Sequence, residues 1–199
     1  MNAHSNGQKH WSSLPFHRDW LKTQANGLFD FFQYSSINPK GGFYDLNANG
    51  KPLYPDNQTR TIHMAARMVH CFSIAHLLGR PGAGSIIDHG MNYIWKHHRD
   101  EASGGYFWQI NEDGPVDSSK QGYGHAFVLL AASSAKVVGH PLADKMLEDI
   151  SEILDTRFWE PQHGAIAEEF NRDWSPIEDY RGQNSNMHLT EALMAAFEV

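Results

Sequence analysis

Apolar positions recur at helical spacing in six segments of the chain, separated by clusters of Gly, Pro, Asn and Asp. The first predicted helix covers about residues 14–34, with Trp20, Leu21, Leu28, Phe31 and Phe32 on one face, and Asn38-Pro39-Lys40-Gly41-Gly42 closes it. A second begins after Asp56, its candidate N-cap, and carries Ile62, Ala65, Ala66, Val69, Phe72 and Leu77 up to the breaker Gly79-Arg80-Pro81-Gly82. Ser85 followed by Asp88 has the spacing of a capping box and opens a third helix, reaching about residue 98. The fourth is predicted over residues 120–138, the fifth over 142–158, and the sixth from near Ser185 onward.

Between these helices a pattern repeats. Residues 41–50 and 104–114 each contain two glycines, then aromatics, then a polar turn closed by Gly, which reads as a short β-hairpin used twice. Gly42 and Gly105 lie 63 residues apart, and His163-Gly164 marks a degenerate third copy, with Gly164 59 residues beyond Gly105. The unit is a loop plus two helices, and the fold class is all-α: an open solenoid or a closed toroid of helical hairpins. The helix after each Gly-rich loop is rich in small residues (Ala65, Ala66; Ala126, Ala131, Ala132; Ala192, Ala195, Ala196). Its partner carries more charge, which suits a tightly packed inner ring inside an outer one.

Composition narrows the function classes. At 199 residues with 41% hydrophobic, 12% aromatic and 20% charged residues, the chain makes one globular domain. A formal charge of -7 repels a phosphate backbone and argues against nucleic acid as partner. The single Cys71 forms neither an internal disulfide nor a thiolate zinc site, and its apolar helical surroundings predict a buried, inert thiol in a reducing compartment. Residues 1–13 lack the apolar core of a secretory signal, and no apolar run approaches the ~18 residues of a membrane span. The expectation is a cytoplasmic protein with no membrane partner.

The inner helices carry the candidate chemistry. His63, Arg67 and His70 fall at i, i+4 and i+7, one stripe on an otherwise apolar helix. Gln121 and His125 share a face on the next, with Tyr123 in its first turn; Asn184 and His188 do so on the third, where Glu191 could fix the imidazole tautomer. Counted from the loop glycines, Arg67, His125 and His188 lie 25, 20 and 24 residues on, so each unit places a polar group at a similar height. Such a pocket suits a neutral polyhydroxylated ligand, with Phe43, Tyr44, Tyr106, Phe107, Trp108 and Trp174 available to stack on a sugar face. The alternative is that these groups are caps or satisfied core polar residues.

Other constellations are weaker. His97-His98 beside Arg99-Asp100 reads as a solvated helix end. No HExxH or Cys ligand set occurs, so neither metal nor cofactor is expected, and the segment 79–84 lacks the Lys-Ser/Thr of a P-loop. Glu168, Glu169, Asp173, Glu178 and Asp179 leave open an acid pair for glycoside hydrolysis.

At Thr61-Ile62-His63-Met64-Ala65-Ala66-Arg67-Met68, Ser119-Lys120-Gln121-Gly122-Tyr123-Gly124-His125 and Arg181-Gly182-Gln183-Asn184-Ser185-Asn186-Met187-His188, the chain resembles the N-acylglucosamine 2-epimerase superfamily. The nearest likeness is to its aldose–ketose isomerase branch, of mannose and sulfoquinovose isomerases, and it runs from about Trp11 to the end of the chain. The resemblance implies an (α/α)6 barrel and metal-independent interconversion of monosaccharides by proton transfer beside the carbonyl, in a monomer or homodimer. It also implies that Arg67 binds sugar oxygens and stabilises the enediolate, and that His188 assists ring opening and proton transfer. Tyr123 and Asn184 match sugar-contacting positions, and His125 supports them. His63 stands where sulfoquinovose-type relatives carry an aromatic residue, and six helices make three of the six hairpins that a full barrel needs. The expectation is therefore half a barrel in one domain, truncated within its last helix, with the family's remaining catalytic His and Glu residues in the other half.

Overall fold

The computed structural model describes residues 10–56 and 58–199; the first nine residues, where no leader is expected, lie outside them. Among the described residues the six apolar segments become α1 (Pro15–Gln33), α2 (Ile62–Leu77), α3 (Ala83–Tyr93), α4 (Gly122–Val137), α5 (Ala143–Ile153) and α6 (Gln183–Phe197). The short strands are β1 (Arg60–Thr61), β2 (Gln109–Asn111), β3 (Gly114–Asp117), β4 (Lys120–Gln121), β5 (Trp159–Glu160), β6 (Ala165–Ile166) and β7 (Glu169–Phe170). α2 and α4 start later than their apolar patterns because β1 pairs with β2, and β4 with β7, immediately before them. The capping box does not form: Gly82, at φ 80, directly precedes α3 and leaves Ser85 inside its first turn. Both α3 and α5 run on into a wide π turn, Ile94–His98 and Leu154–Phe158.

The loops differ more than the helices. Residues 41–50 hold only the isolated bridges Ile37↔Phe43 and Leu46↔Pro52, whereas β2 and β3 form a hairpin, and so do β5 and β6, with Gly164 at φ 60. From Ile62 to Gly122, from Ala83 to Ala143 and from Ile94 to Leu154 the step is 60 residues, and α6 follows α4 by 61. The glycine pairs are a poor ruler because loop length varies. The helices place in register His63 with Tyr123 and Asn184, Arg67 with Phe127 and His188, and His70 with Leu130 and Glu191.

α2, α4 and α6 lie side by side as the inner layer, with α3 against α2 and α5 against α4. Ala66, Ala131, Ala132 and Ala192 are fully buried between them, as the small-residue pattern predicts. At Gly124 a Cβ would stand 2.6 Å from Ile62 Cγ2, so α2 and α4 approach too closely for a methyl group.

Two expectations about burial fail. Trp20, Leu21 and Leu28 of α1 are exposed, because only its last turns reach the body, through Phe29 on Phe72 and through Gln33, whose Nε2 donates to Pro81 O at 2.8 Å. Cys71 is exposed: α3 and α4 cover the sides of α2 that carry Ala65, Ala66, Val69 and Phe72, and Cys71 projects elsewhere. No helix among the described residues is long and apolar enough to cross a membrane.

Candidate active site

The inner face of α2, α4 and α6 is built in tiers set by the helical register. In the first, the His63 ring stacks on Trp108 at 4.9 Å and 14° and meets Tyr123 edge-on at 5.5 Å. Burial, then the charge of Arg67, lowers the His63 pKa to about 4, so this imidazole is neutral, and its Nδ1 is buried without a partner. Asn184 is exposed at the first turn of α6, in a cleft of about 390 Å³ shared with Glu168, Tyr180 and Met187.

In the second tier the Arg67 guanidinium lies 4.3 Å from the centre of the Phe127 ring, and its Nη2 donates to the Tyr123 hydroxyl at 2.5 Å. The His188 ring packs 4.7 Å from Phe127 and 5.4 Å from Tyr123. Arg67, Tyr123, Phe127 and His188 thus form one continuous wall across three helices. The glycine count missed Phe127; the 60-residue step finds it. In the third tier His70 Nδ1 stands 2.8 Å from Ser134 Oγ, whose hydrogen goes to Leu130 O at 2.8 Å. His70 must therefore donate from Nδ1, leaving Nε2 an acceptor.

His125 does not join this wall. It is 1% exposed, its Nδ1–H donates to Gln121 O at 2.7 Å, and its Nε2 accepts the Tyr106 N–H at 3.0 Å. Burial pushes its pKa down to about 3, so it is neutral with both nitrogens spent. Gly105, at φ 69, leaves room for it: a Cβ there would sit 2.9 Å from Nε2. Of the aromatics expected to stack on a ligand, Phe43, Tyr106 and Phe107 are buried, and Trp174 is tied by Nε1 to Ser103 O at 2.7 Å. Trp108 lies in the first tier against His63.

Of the expected solvated helix end, His97 is exposed and Arg99 half-buried, but His98 and Asp100 are buried. His98 is sealed from solvent, and Asp100, 2% exposed, accepts from Lys120 Nζ at 2.9 Å and Arg172 Nε at 2.8 Å. Desolvation alone would raise the Asp100 pKa, but the bonds from Arg172 and Lys120 outweigh it and hold the carboxyl well below its usual range. Lys120 is itself fully buried. Its in-register counterparts Arg60 and Arg181 also stand beside carboxylates, Glu112 at 3.8 Å in the turn between β2 and β3 and Glu160 at 2.5 Å in β5, although Arg60 Nε and Nη2 make no hydrogen bond. In the acidic stretch Glu168 accepts from Ser185 Oγ at 2.7 Å and Gly182 N at 3.1 Å, Glu169 accepts from Gln121 at 3.1 Å, and Asp179 pairs with Arg181. Among the described residues no three His, Cys, Asp or Glu side chains are grouped as metal ligands.

The wall thus offers a permanent cation, a phenol, a neutral imidazole and two further histidines beside apolar rings, a set suited to holding oxygens, stabilising an oxyanion and exchanging a proton. Residues 41–199 match the family described as N-acylglucosamine 2-epimerase (GlcNAc 2-epimerase). The chain is 41% identical to a D-mannose isomerase of Pseudomonas cannabina pv. alisalensis over 95% of its own length and 44% of that protein's. It superposes on a crystal structure of D-mannose isomerase with a TM-score of 0.85 at 33% identity, covering 91% of this chain and 46% of that one. The cellobiose 2-epimerase of Spirochaeta thermophila DSM 6192 shares the fold, with a TM-score of 0.79 at 23% identity, over 94% of this chain and 51% of that one. The helical layers are thus part of an (α/α)6 barrel, and the chain spans about half the length of the relatives it matches.

Proposed function

Because the chain belongs to the N-acylglucosamine 2-epimerase family, we propose that the protein carrying it is an aldose–ketose isomerase of the mannose/fructose type. The observation that supports this most is the wall of Arg67, Tyr123, Phe127 and His188, in which a guanidinium and an imidazole from two helices both pack on one aromatic ring. Interconversion moves a proton from C2 to C1 and another from O2 to O1 through an enediolate, so it needs a base near neutrality and a cation at the developing oxyanion. His188 carries the proton and assists ring opening. Arg67 holds the enediolate oxygens, its Nη2 oriented by the Tyr123 hydroxyl at 2.5 Å. Neutral His63 accepts a bond from a sugar hydroxyl, and Asn184 contacts the sugar from the rim. His125 supports the wall from behind by holding the Tyr106 amide.

Proton NMR of the intact protein with mannose and fructose in deuterated water tests this reading. Interconversion with deuterium entering mannose at C2 is expected; absence of both overturns it. Deuterium at C2 with the C2 epimer as product and no ketose would replace it with a 2-epimerase, which shares the first proton abstraction but returns the proton to the other face.

A further inference from the structure

His188 Nδ1 lies 3.0 Å from Glu191 Oε2, three residues on in the same helix. We propose that Glu191 is a positioning residue that keeps the His188 proton on Nδ1, so that Nε2 faces the sugar as the free base. The inference rests on the role given to His188 above and adds a residue to it.

An ionised carboxylate only accepts hydrogen bonds, so the nitrogen facing Glu191 must carry the hydrogen, and the other nitrogen of a neutral ring must then be bare. Among the described residues Glu191 accepts no other hydrogen bond and pairs with no lysine or arginine, so its carboxylate has no structural partner besides this imidazole. Its side chain is 52% exposed in this chain and packs into no core. The 60- and 61-residue steps put Glu191 in the tier of His70, where Ser134 enforces the same Nδ1–H form by an independent route. The Glu191 charge is felt at His70, where it opposes the lowering caused by burial. The inner face therefore holds two histidines with Nε2 free, one locked by a serine and one by a carboxylate. His125, with both nitrogens bonded, shows the alternative outcome in the same molecule.

Long-range 1H–15N correlation of the imidazole nitrogens tests the proposal on the full chain, with the His188 signal assigned by its loss in His188→Gln. The native protein is expected to show His188 as the Nδ1–H tautomer, and Glu191→Ala to convert it to the Nε2–H form that unconstrained histidine favours. A native His188 already in the Nε2–H form, or a tautomer unmoved by Glu191→Ala, overturns the proposal. This readout needs no turnover, so it decides the role of Glu191 even if the isomerase reading fails. In the isomerase assay kcat of Glu191→Ala should fall about 10–100-fold, as when a carboxylate behind a functional histidine is removed, at unchanged KM. A loss carried wholly by KM would place Glu191 in direct contact with substrate and overturn the positioning role.

Discussion

His125 and His188 sit on neighbouring inner helices, yet one is spent and the other is not. Behind the helices, His125 has both ring nitrogens bonded and Asp100 is held by Lys120 and Arg172, while His98 bonds Phe107 O through Nδ1 and keeps a buried Nε2 without a partner. On the inner face, Arg67, Tyr123 and His188 pack on the Phe127 ring and on one another and are only partly buried. The difference teaches that availability, rather than residue type or spacing, separates a functional group from a structural one. Paired polar groups behind the inner helices tie distant segments together; on the inner face Arg67, Tyr123 and His188 stay partly exposed.

Three experiments press on this contrast. The largest effect is expected from acid. His98 and His125, each with a pKa pushed down to about 3 by burial, bind fewer protons in the folded state than in the unfolded chain. Protonation therefore favours unfolding, and stability that is full above about pH 6.5 should be lost as pH falls toward 3, by about 1.4 kcal/mol per unit for each histidine. Urea unfolding at a series of pH values measures this, and a flat profile between pH 6 and 4 would contradict two neutral, buried imidazoles. Next, Asp100→Ala leaves Lys120 buried and unpaired, and should cost about 3–5 kcal/mol in the same unfolding measurement. A change of a few tenths would mean that water reaches the cluster. Smallest in free energy, and opposite in kind, Arg67→Ala should lower kcat about 10²–10³-fold, roughly 2.7–4 kcal/mol of transition-state stabilisation, with the urea midpoint nearly unchanged. A large stability loss with activity kept would move Arg67 to the structural side of the comparison.

Much of this was legible in the chain. Helical periodicity located all six helices within a few residues, and the alanine-rich stretches marked the inner layer, because both depend on neighbours one turn away. The repeat was visible too, but glycines in loops of unequal length misaligned it and paired His125 with Arg67 in place of Phe127. Cys71 and the exposed face of α1 misled for a related reason: an apolar stripe says which side of a helix can be buried, while the neighbouring elements decide how much of it is.

By itself the sequence determined the helical hairpins, their order, and a stripe holding His63, Arg67 and His70, since each follows from a local period. Only the tertiary structure decided which polar groups were consumed. Asp100 finds Lys120 20 residues away and Arg172 72 residues away, and His125 finds the Tyr106 amide across a loop. A buried donor or acceptor must be satisfied by whatever the fold brings beside it, and that pairing is set by packing between distant segments rather than by spacing within one.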